Sequence, residues 1–475
     1  MSECISRPII AVRARLCLAR SPGQCQASCA DPVRGFGSRY AVARWGAAQH
    51  AVAAGPGGRH AHQPRAPSAS PEMGFHAVGR AHHPVPERTR PCARVHHHAG
   101  PKPSGACALG PEGVTCSRYR LPVIGGDLQM TSKERVLAAI NHVQPDRVPV
   151  DYLGTPEIDR ALLRHFRTSD WECVLEALGV DLRTVGPRYV GPPLPPGQDI
   201  WGVIRKPVQN IAGTYDEPAN YPWRHFTTIE EADAYPWPSV DWFDFSTIRD
   251  QCRQYSEYAI VFGGMGVMDL INGTAFGRGV EQTLMDIATT DPVGMALMQH
   301  RFTFYQEYAC RALREAKGLV DIFFVGDDYG SQRGLLMSPS TWRRLFRNRL
   351  KAMVDLGHEF GCKVMLHSCG STREIMPDLI EIGLDIYETV QPEAAGMDPE
   401  ELKAAYGDKL AFHGTVSTQT ILPFGTPSEV QTYVRRRIDV VGKGGGLILA
   451  PAHNIQPDTP LENVLAMYST VREHA

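Results

Sequence analysis

No stretch of this sequence stays apolar for anything like the roughly 18 to 20 residues that a membrane-spanning helix needs, so a membrane partner is not expected. Cysteine is sparse after residue 129. Only Cys173, Cys252, Cys310, Cys362 and Cys369 occur there, and their spacing makes no disulfide framework. A reducing cytoplasm fits such a set. A Gly-rich dinucleotide fingerprint is also missing after the first strand candidate, which weakens a doubly wound nucleotide-binding sheet. Net charge is nearly absent as well. With 475 residues, 43% hydrophobic and 21% charged, and a formal net charge of −2, the chain has the composition of a soluble globular protein with a large core.

That average hides two unlike parts. Residues 1–129 hold 16 Lys and Arg, of which only Lys102 is lysine, against 6 Asp and Glu. The other 346 residues hold 33 basic and 45 acidic side chains. The first part also takes seven of the 12 cysteines and half of the 18 histidines, and its Arg, Ala, Gly, Pro and His follow neither helical nor strand periodicity. It does not have the pattern of a folded domain. A targeting peptide or a basic nucleic-acid arm would share that composition. The expectation is plainer: a disordered or mis-annotated extension, with the natural start at Met130, no nucleic-acid partner, and no metal role for His96-His97-His98.

From Met130 the pattern becomes regular. Thr131 and Glu134 have the spacing of a capping box, and Val136, Leu137 and Ile140 then share one helical face. Val148-Pro149-Val150-Asp151-Tyr152 is the first strand candidate, and 181–186 the second. Residues 187–257 are dense in proline and aromatics and are expected to form a long insertion over one end of the core, serving as a lid or as packing, with a small hairpin from 201–208 and 213–215. Six more strand candidates follow at 258–264, 320–326, 363–367, 384–389, 410–414 and 446–449, mostly separated by amphipathic helices. Eight near-continuous apolar strands alternating with helices indicate an α/β fold, a (β/α)8 TIM barrel over 130–475.

The run Val364-Met365-Leu366-His367-Ser368-Cys369-Gly370 anchors the functional reading. Side chains alternate along a strand, so His367 and Cys369, at i and i+2, point the same way and can hold one ion. Imidazole plus thiolate suits Zn2+, and catalytic zinc takes three protein ligands and keeps one position open. The plain alternative is a hydrogen-bonded core histidine beside an ordinary buried cysteine. Barrel active sites sit at the carboxyl ends of the strands. The polar residues there are Asp151, Tyr152, Asp327, Asp328, His367, Cys369, Glu388, His413 and His453. His453, just past the last strand, is expected to complete the metal set with His367 and Cys369. Asp327, Glu388 and Asp151 are the expected catalytic carboxylates, with Asp328 a further candidate; such acids orient a ligand histidine or handle a proton, or else cap a helix. Arg333 has the chemistry to grip an anion, although a plain salt bridge is its expected use.

These residues resemble a known family. Met130-Thr131-Ser132-Lys133-Glu134-Arg135-Val136, Pro145-Asp146-Arg147-Val148-Pro149, Leu366-His367-Ser368-Cys369-Gly370, Asp398-Pro399 with Leu402-Lys403, Gly445-Gly446, and Ala452-His453-Asn454-Ile455-Gln456-Pro457-Asp458-Thr459-Pro460 are similar to the uroporphyrinogen decarboxylase superfamily. Within it they resemble the zinc-dependent methyltransferases that work with corrinoid proteins. The resemblance implies an eight-stranded barrel with its site at the mouth. It also implies zinc held by His-x-Cys and a later cysteine, where the ion binds a thiol as thiolate for attack on a methyl group carried on cobalt. His367 and Cys369 match directly. This chain has His453 where the later cysteine stands, which lowers the negative charge on the ion and leaves the acceptor open. The corrinoid must then be carried by a separate protein, with a small-molecule methyl donor or acceptor as the second partner. The rival expectation is uroporphyrinogen decarboxylase activity in porphyrin biosynthesis. The decarboxylases grip substrate carboxylates with an Arg-Gln-Ala-Gly-Arg motif after the first strand, whereas this chain has Asp151-Tyr152-Leu153-Gly154-Thr155-Pro156-Glu157 and no arginine before Arg160.

Overall fold

The capping box forms as expected. The Thr131 hydroxyl accepts from the Glu134 amide, the Glu134 carboxylate accepts from the Thr131 amide, and the helix Ser132–Ile140 follows. The computed structural model describes residues 130–210 and 213–474, so the expectations for residues 1–129 lie outside the described residues. Eleven strands occur among them: β1 (Leu182–Val185), β2 (Arg188–Tyr189), β3 (Arg205–Asn210), β4 (Gly213–Pro218), β5 (Phe243–Asp244), β6 (Ala259–Met268), β7 (Ile322–Gly326), β8 (Lys363–His367), β9 (Ile386–Val390), β10 (Ala411–Val416) and β11 (Leu447–Pro451). Seven of these form one parallel sheet in the order β1-β6-β7-β8-β9-β10-β11.

The first expected strand is reduced to a bridge. Val150 pairs in parallel with Leu449 of β11, the Asp151 amide donates to the Leu449 carbonyl, and the Asp181 amide just before β1 donates to the Val150 carbonyl. Proline has no N–H to give a ladder, so Val148-Pro149-Val150 cannot form a full strand. It still bonds both edges of the seven-stranded sheet.

Strict alternation fixes what faces the lumen. Leu182, Ala259, Val261, Ile322, Phe324, Met365, Ile386, Ala411 and Ile448 pack together inside the sheet, where Val136 and Ile140 of the first helix join them. Their strand neighbours Ile260, Phe262, Phe323, Val325, Val364, Leu366, Tyr387, Phe412, Leu447 and Leu449 pack outward against the helices. Two residues beyond Met365, Ile386 and Ala411 come His367, Glu388 and His413, so the same parity carries all three into the carboxyl end of the lumen.

A buried ion network closes the amino end. Asp181 is 0% exposed and accepts from Arg135 Nη1 at 2.8 Å, Arg147 Nη1 at 2.7 Å, Ser132 Oγ at 2.7 Å and the Val150 amide at 2.9 Å. The opening motifs therefore act in the fold rather than in the site.

Residues 187–257 carry two small antiparallel ladders, β2 with β5 and β3 with β4. The second is the expected hairpin, shifted toward the turn. The first was not expected, because its partners lie more than fifty positions apart and leave no local signal. Trp201, Val203, Trp223, Ala232 and Val240 of this segment form a satellite core against Phe276, Leu297 and Phe304, on the helices Leu270–Arg278 and Pro292–Ala316.

Candidate metal centre

His367 ends β8 with its ring clamped from both sides. Nδ1 lies 2.5 Å from Glu388 Oε2, and Nε2 lies 3.4 Å from both Cys369 Sγ and Asp328 Oδ1. A carboxylate on Nδ1 fixes that nitrogen as the N–H donor and leaves Nε2 to face a metal. The backbone then presents the thiol. The Ser368 amide donates to the Glu388 carbonyl at 2.6 Å, the Cys369 amide to Asp328 Oδ1 at 2.7 Å, and the Gly370 amide to Gln391 Oε1 at 2.6 Å. Gly370 sits at φ 78°, and a Cβ there would lie 2.7 Å from the Gly330 and Ser331 backbone, so the glycine of His-x-Cys-Gly is a steric requirement.

Asp328 Oδ, His367 N and Cys369 Sγ lie within 4.8 Å of one another, and this is the one such set among the described residues. Zinc bonds of about 2.0–2.3 Å at tetrahedral angles put donors roughly 3.3–3.6 Å apart. The 3.4 Å separations about His367 Nε2 match that spacing, so nitrogen, sulfur and carboxylate donors here fit a zinc ion. Burial opposes charge on Asp328, but hydrogen bonds from His367 and the Cys369 amide hold its pKa down at about 2. Burial and then the Asp328 charge push the Cys369 thiol up to about 11. Burial also opposes the His367 cation, yet Glu388, Cys369 and Asp328 together carry its pKa well above the ordinary imidazole value.

The other expected residues take distinct places. His413 points its Nε2 to Asp151 Oδ2 at 3.1 Å and its Nδ1 toward Glu388 Oε1 at 4.0 Å, so Asp151, His413, Glu388 and His367 form a continuous polar row. Asp327 faces away from it. Its Oδ1 accepts from the Ile271 amide at 2.9 Å, and burial followed by the charge of Asp269 raises its pKa well above the carboxylate range. His453 follows β11 on the same rim, beside an Ala452 whose amide donates to Val416 and whose carbonyl accepts from Thr389 Oγ1. The close set joins His367 and Cys369 with Asp328 and does not include His453. Tyr152 is held by Asp159 at 2.7 Å and packs on Trp171. Arg333 is exposed, and the salt bridge expected for it is not formed among the described residues.

Asn272, which donates to Asp328 Oδ2 at 2.8 Å, and Gln391 were not foreseen. The strand-end rule would have reached Asp269 and Asn272 had β6 been followed to Met268 instead of stopping at Gly264. A bulge between Gly263 and Met268 carries the strand on.

Glu388 is fully buried, and its contact with His367 orients the imidazole. Glu388→Gln is expected to keep the fold and weaken zinc affinity about 10- to 100-fold, because the neutral amide no longer raises imidazole basicity. Competition against a chromogenic chelator measures this. Unchanged affinity would remove Glu388 from the site.

Residues 267–474 match the family model described as uroporphyrinogen decarboxylase (URO-D). Among curated proteins, the chain is 30% identical over 155 residues to a methylcobamide:CoM methyltransferase, MtaA, of Methanosarcina barkeri, a match covering 32% of this chain and 42% of that protein. It is 27% identical over 158 residues to a methylated-thiol–coenzyme M methyltransferase of Methanosarcina mazei, covering 32% and 38%. The matched stretch thus spans less than half the length of these relatives. A solved structure of a methyltransferase from Methanosarcina mazei superposes with a TM-score of 0.51 at 20% identity, over 73% of this chain and 99% of that one, which shows a shared barrel fold. Among the described residues no helix is long and apolar enough to cross a membrane. Residues 267–474 are thus similar to the uroporphyrinogen decarboxylase (URO-D) family model, and methylcobamide:CoM methyltransferases are among the proteins this chain resembles.

Proposed function

We propose that residues 130–475 are a single catalytic domain, a zinc-dependent methyltransferase that moves a methyl group between a corrinoid on a separate protein and a small molecule. The observation that carries this reading is the donor set at the barrel mouth, in which His367 Nε2 lies 3.4 Å from both Cys369 Sγ and Asp328 Oδ1. The names of the relatives support the reaction class. His367 and Cys369 are the fixed ligands. The third is His453, by its position in the family pattern, with Asp328 poised beside the pair. When bound, zinc supplies a Lewis acid that keeps a thiol substrate deprotonated at neutral pH.

The chain's own residues supply position. Glu388 holds the ligand imidazole, Asp151 holds His413 behind it, and Asp327 pins the start of the helix Leu270–Arg278 over β7. We read Glu388, Asp151 and Asp327 as positioning residues. The 187–257 segment, laid on two helices next to the mouth, is a cover for one flank of the site.

Zinc uptake has a proton signature. In the metal-free protein Glu388, Cys369 and Asp328 favour the charged His367 imidazole against burial, and burial with the Asp328 charge favours the protonated Cys369 thiol. Both must lose a proton to ligate, so binding is expected to release about two protons per ion and to tighten as pH rises. Titration calorimetry in buffers of different ionisation enthalpy counts them, and a release near zero would contradict this ligand pair.

Decarboxylation gains little from this chain. Arg160, the first arginine after the opening strand, is 62% exposed at its side chain and pairs with Glu157 at 3.3 Å. The function test is an optical assay of methylcob(III)alamin with a small thiol, using the zinc-loaded chain. Thiol-dependent conversion to cob(I)alamin, abolished by chelation, is the expected result. Turnover of uroporphyrinogen that survives chelation would overturn the reading.

A further inference from the structure

Part of the cover, residues 233–241, is strapped to the helix Pro292–Ala316 at two points. His300 Nε2 lies 2.8 Å from Asp233 Oδ1, and Arg311 Nη1 lies 2.5 Å from Asp241 Oδ1. Along the helix, His300 and Arg311 are separated by a rise of about 16 Å. Thr303, Phe304 and Glu307 fall between them on the same face, at helical spacing. The two walls do not close over this stretch. A furrow of about 670 Å3 stays open there, inside the range of roughly 300–1,000 Å3 that small-molecule sites occupy.

Its floor is apolar and fixed. Trp201, Val240 and Phe304 line it, are each no more than 7% exposed, and belong to the satellite core. Trp237 lines it too. Its ring stacks on His300 with centroids 4.7 Å apart and planes 13° from parallel, and its Nε1 donates to the Ala232 carbonyl at 2.8 Å. These rings are held before anything enters, so a ligand body meets a preorganised surface.

The rim is acidic. Asp233, Asp241 and Glu307 face one guanidinium, Arg311, and one imidazole, His300, that is charged only when protonated. Arg311 is gripped by Asp241 and Glu307 together, each at 2.5 Å, so this group of three carries a net negative charge. All three acids have side chains more than half exposed and are open to a ligand. An apolar wall under a negative rim complements a cation on an apolar body and repels an anion.

We propose that this furrow binds a small organic cation, an ammonium carried on an aromatic or branched apolar body. The body lies against Trp237, Val240 and Phe304, and the ammonium meets Glu307 and Asp241. None of the furrow's lining residues belongs to the donor set of the metal centre, so the site stands or falls independently of the zinc reading.

Phenethylamine, phenethyl alcohol and 3-phenylpropionate share one body and differ in charge. Each is titrated onto the full chain at pH 7 and low salt by saturation-transfer NMR. The amine, charged at that pH, is expected to bind about 3- to 5-fold more tightly than the alcohol, the scale of an exposed charge pair, and the acid more weakly than either. Raising the salt should shrink the difference. Glu307→Gln should remove most of the amine's advantage and leave the alcohol unchanged. Thr303→Trp, at an exposed position on the furrow face, should fill the space and abolish binding of amine and alcohol alike, with zinc content unaltered. No amine binding, or equal binding of amine and acid by the unaltered chain, overturns the proposal. Amine binding that survives Thr303→Trp, or an amine advantage that survives Glu307→Gln, overturns it too.

Discussion

Replacing Cys369 with alanine is expected to reduce zinc from about one ion per chain to a small fraction and to lower thiol methylation by roughly a thousandfold or more, the loss of several kcal/mol of charge stabilisation. The expectation follows from placement. Parity on β8 aims His367 into the lumen, and three backbone amides, of Ser368, Cys369 and Gly370, are bonded to Glu388, Asp328 and Gln391, so the thiol cannot turn away. His367→Ala should match it, since its Nε2 is the hub of the donor set. Cys362 is the control. It precedes the same strand, is 3% exposed, and turns its Sγ to the Val320 carbonyl at 3.4 Å. Cys362→Ala should leave zinc and turnover intact. Elemental mass spectrometry and the methylcobalamin assay read both. Equal losses from Cys369→Ala and Cys362→Ala would point to general damage.

The second large effect lies at the opposite end of the barrel. Asp181→Ala should destabilise the protein by about 3–5 kcal/mol, because it removes the buried carboxylate that Arg135 and Arg147 share. Arg135, 4% exposed, would keep Asp146, but Arg147 would lose both of its bonds to Asp181, and Ser132 and the Val150 amide would lose their acceptor. Typical domains are stable by only about 5–15 kcal/mol, so the change is a large fraction of the total. Urea unfolding measures it. A shift below about 1 kcal/mol would mean that the two arginines find other partners. Zinc content below the unfolding transition should be normal, since Asp181 and His367 lie at opposite ends of the lumen.

The near-continuous apolar runs at β7, β8 and β9 made the barrel legible, and strand alternation pointed to His367 and Cys369 as neighbours, which lie in one close donor set. Thr131 and Glu134 announced the first helix for the same reason: local rules act within a few residues. Long-range pairing was not legible. Asp328 stands 39 positions before His367, and only the register of β7 against β8, with Gly326 opposite His367, brings them together. The opening strand also misled. Val148 to Tyr152 has β-rich residues, but Pro149 removes a donor and the segment pairs only at Val150.

Zinc K-edge X-ray absorption on the purified full-length chain, before and after a small thiol is added, tests the central claim most directly. The account predicts one sulfur at about 2.3 Å with nitrogen and oxygen neighbours at about 2.0 Å, rising to two sulfurs when the thiol binds. A shell of nitrogen and oxygen alone, or a sulfur count that does not change with thiol, would contradict a zinc site built on His367 and Cys369 for thiol activation.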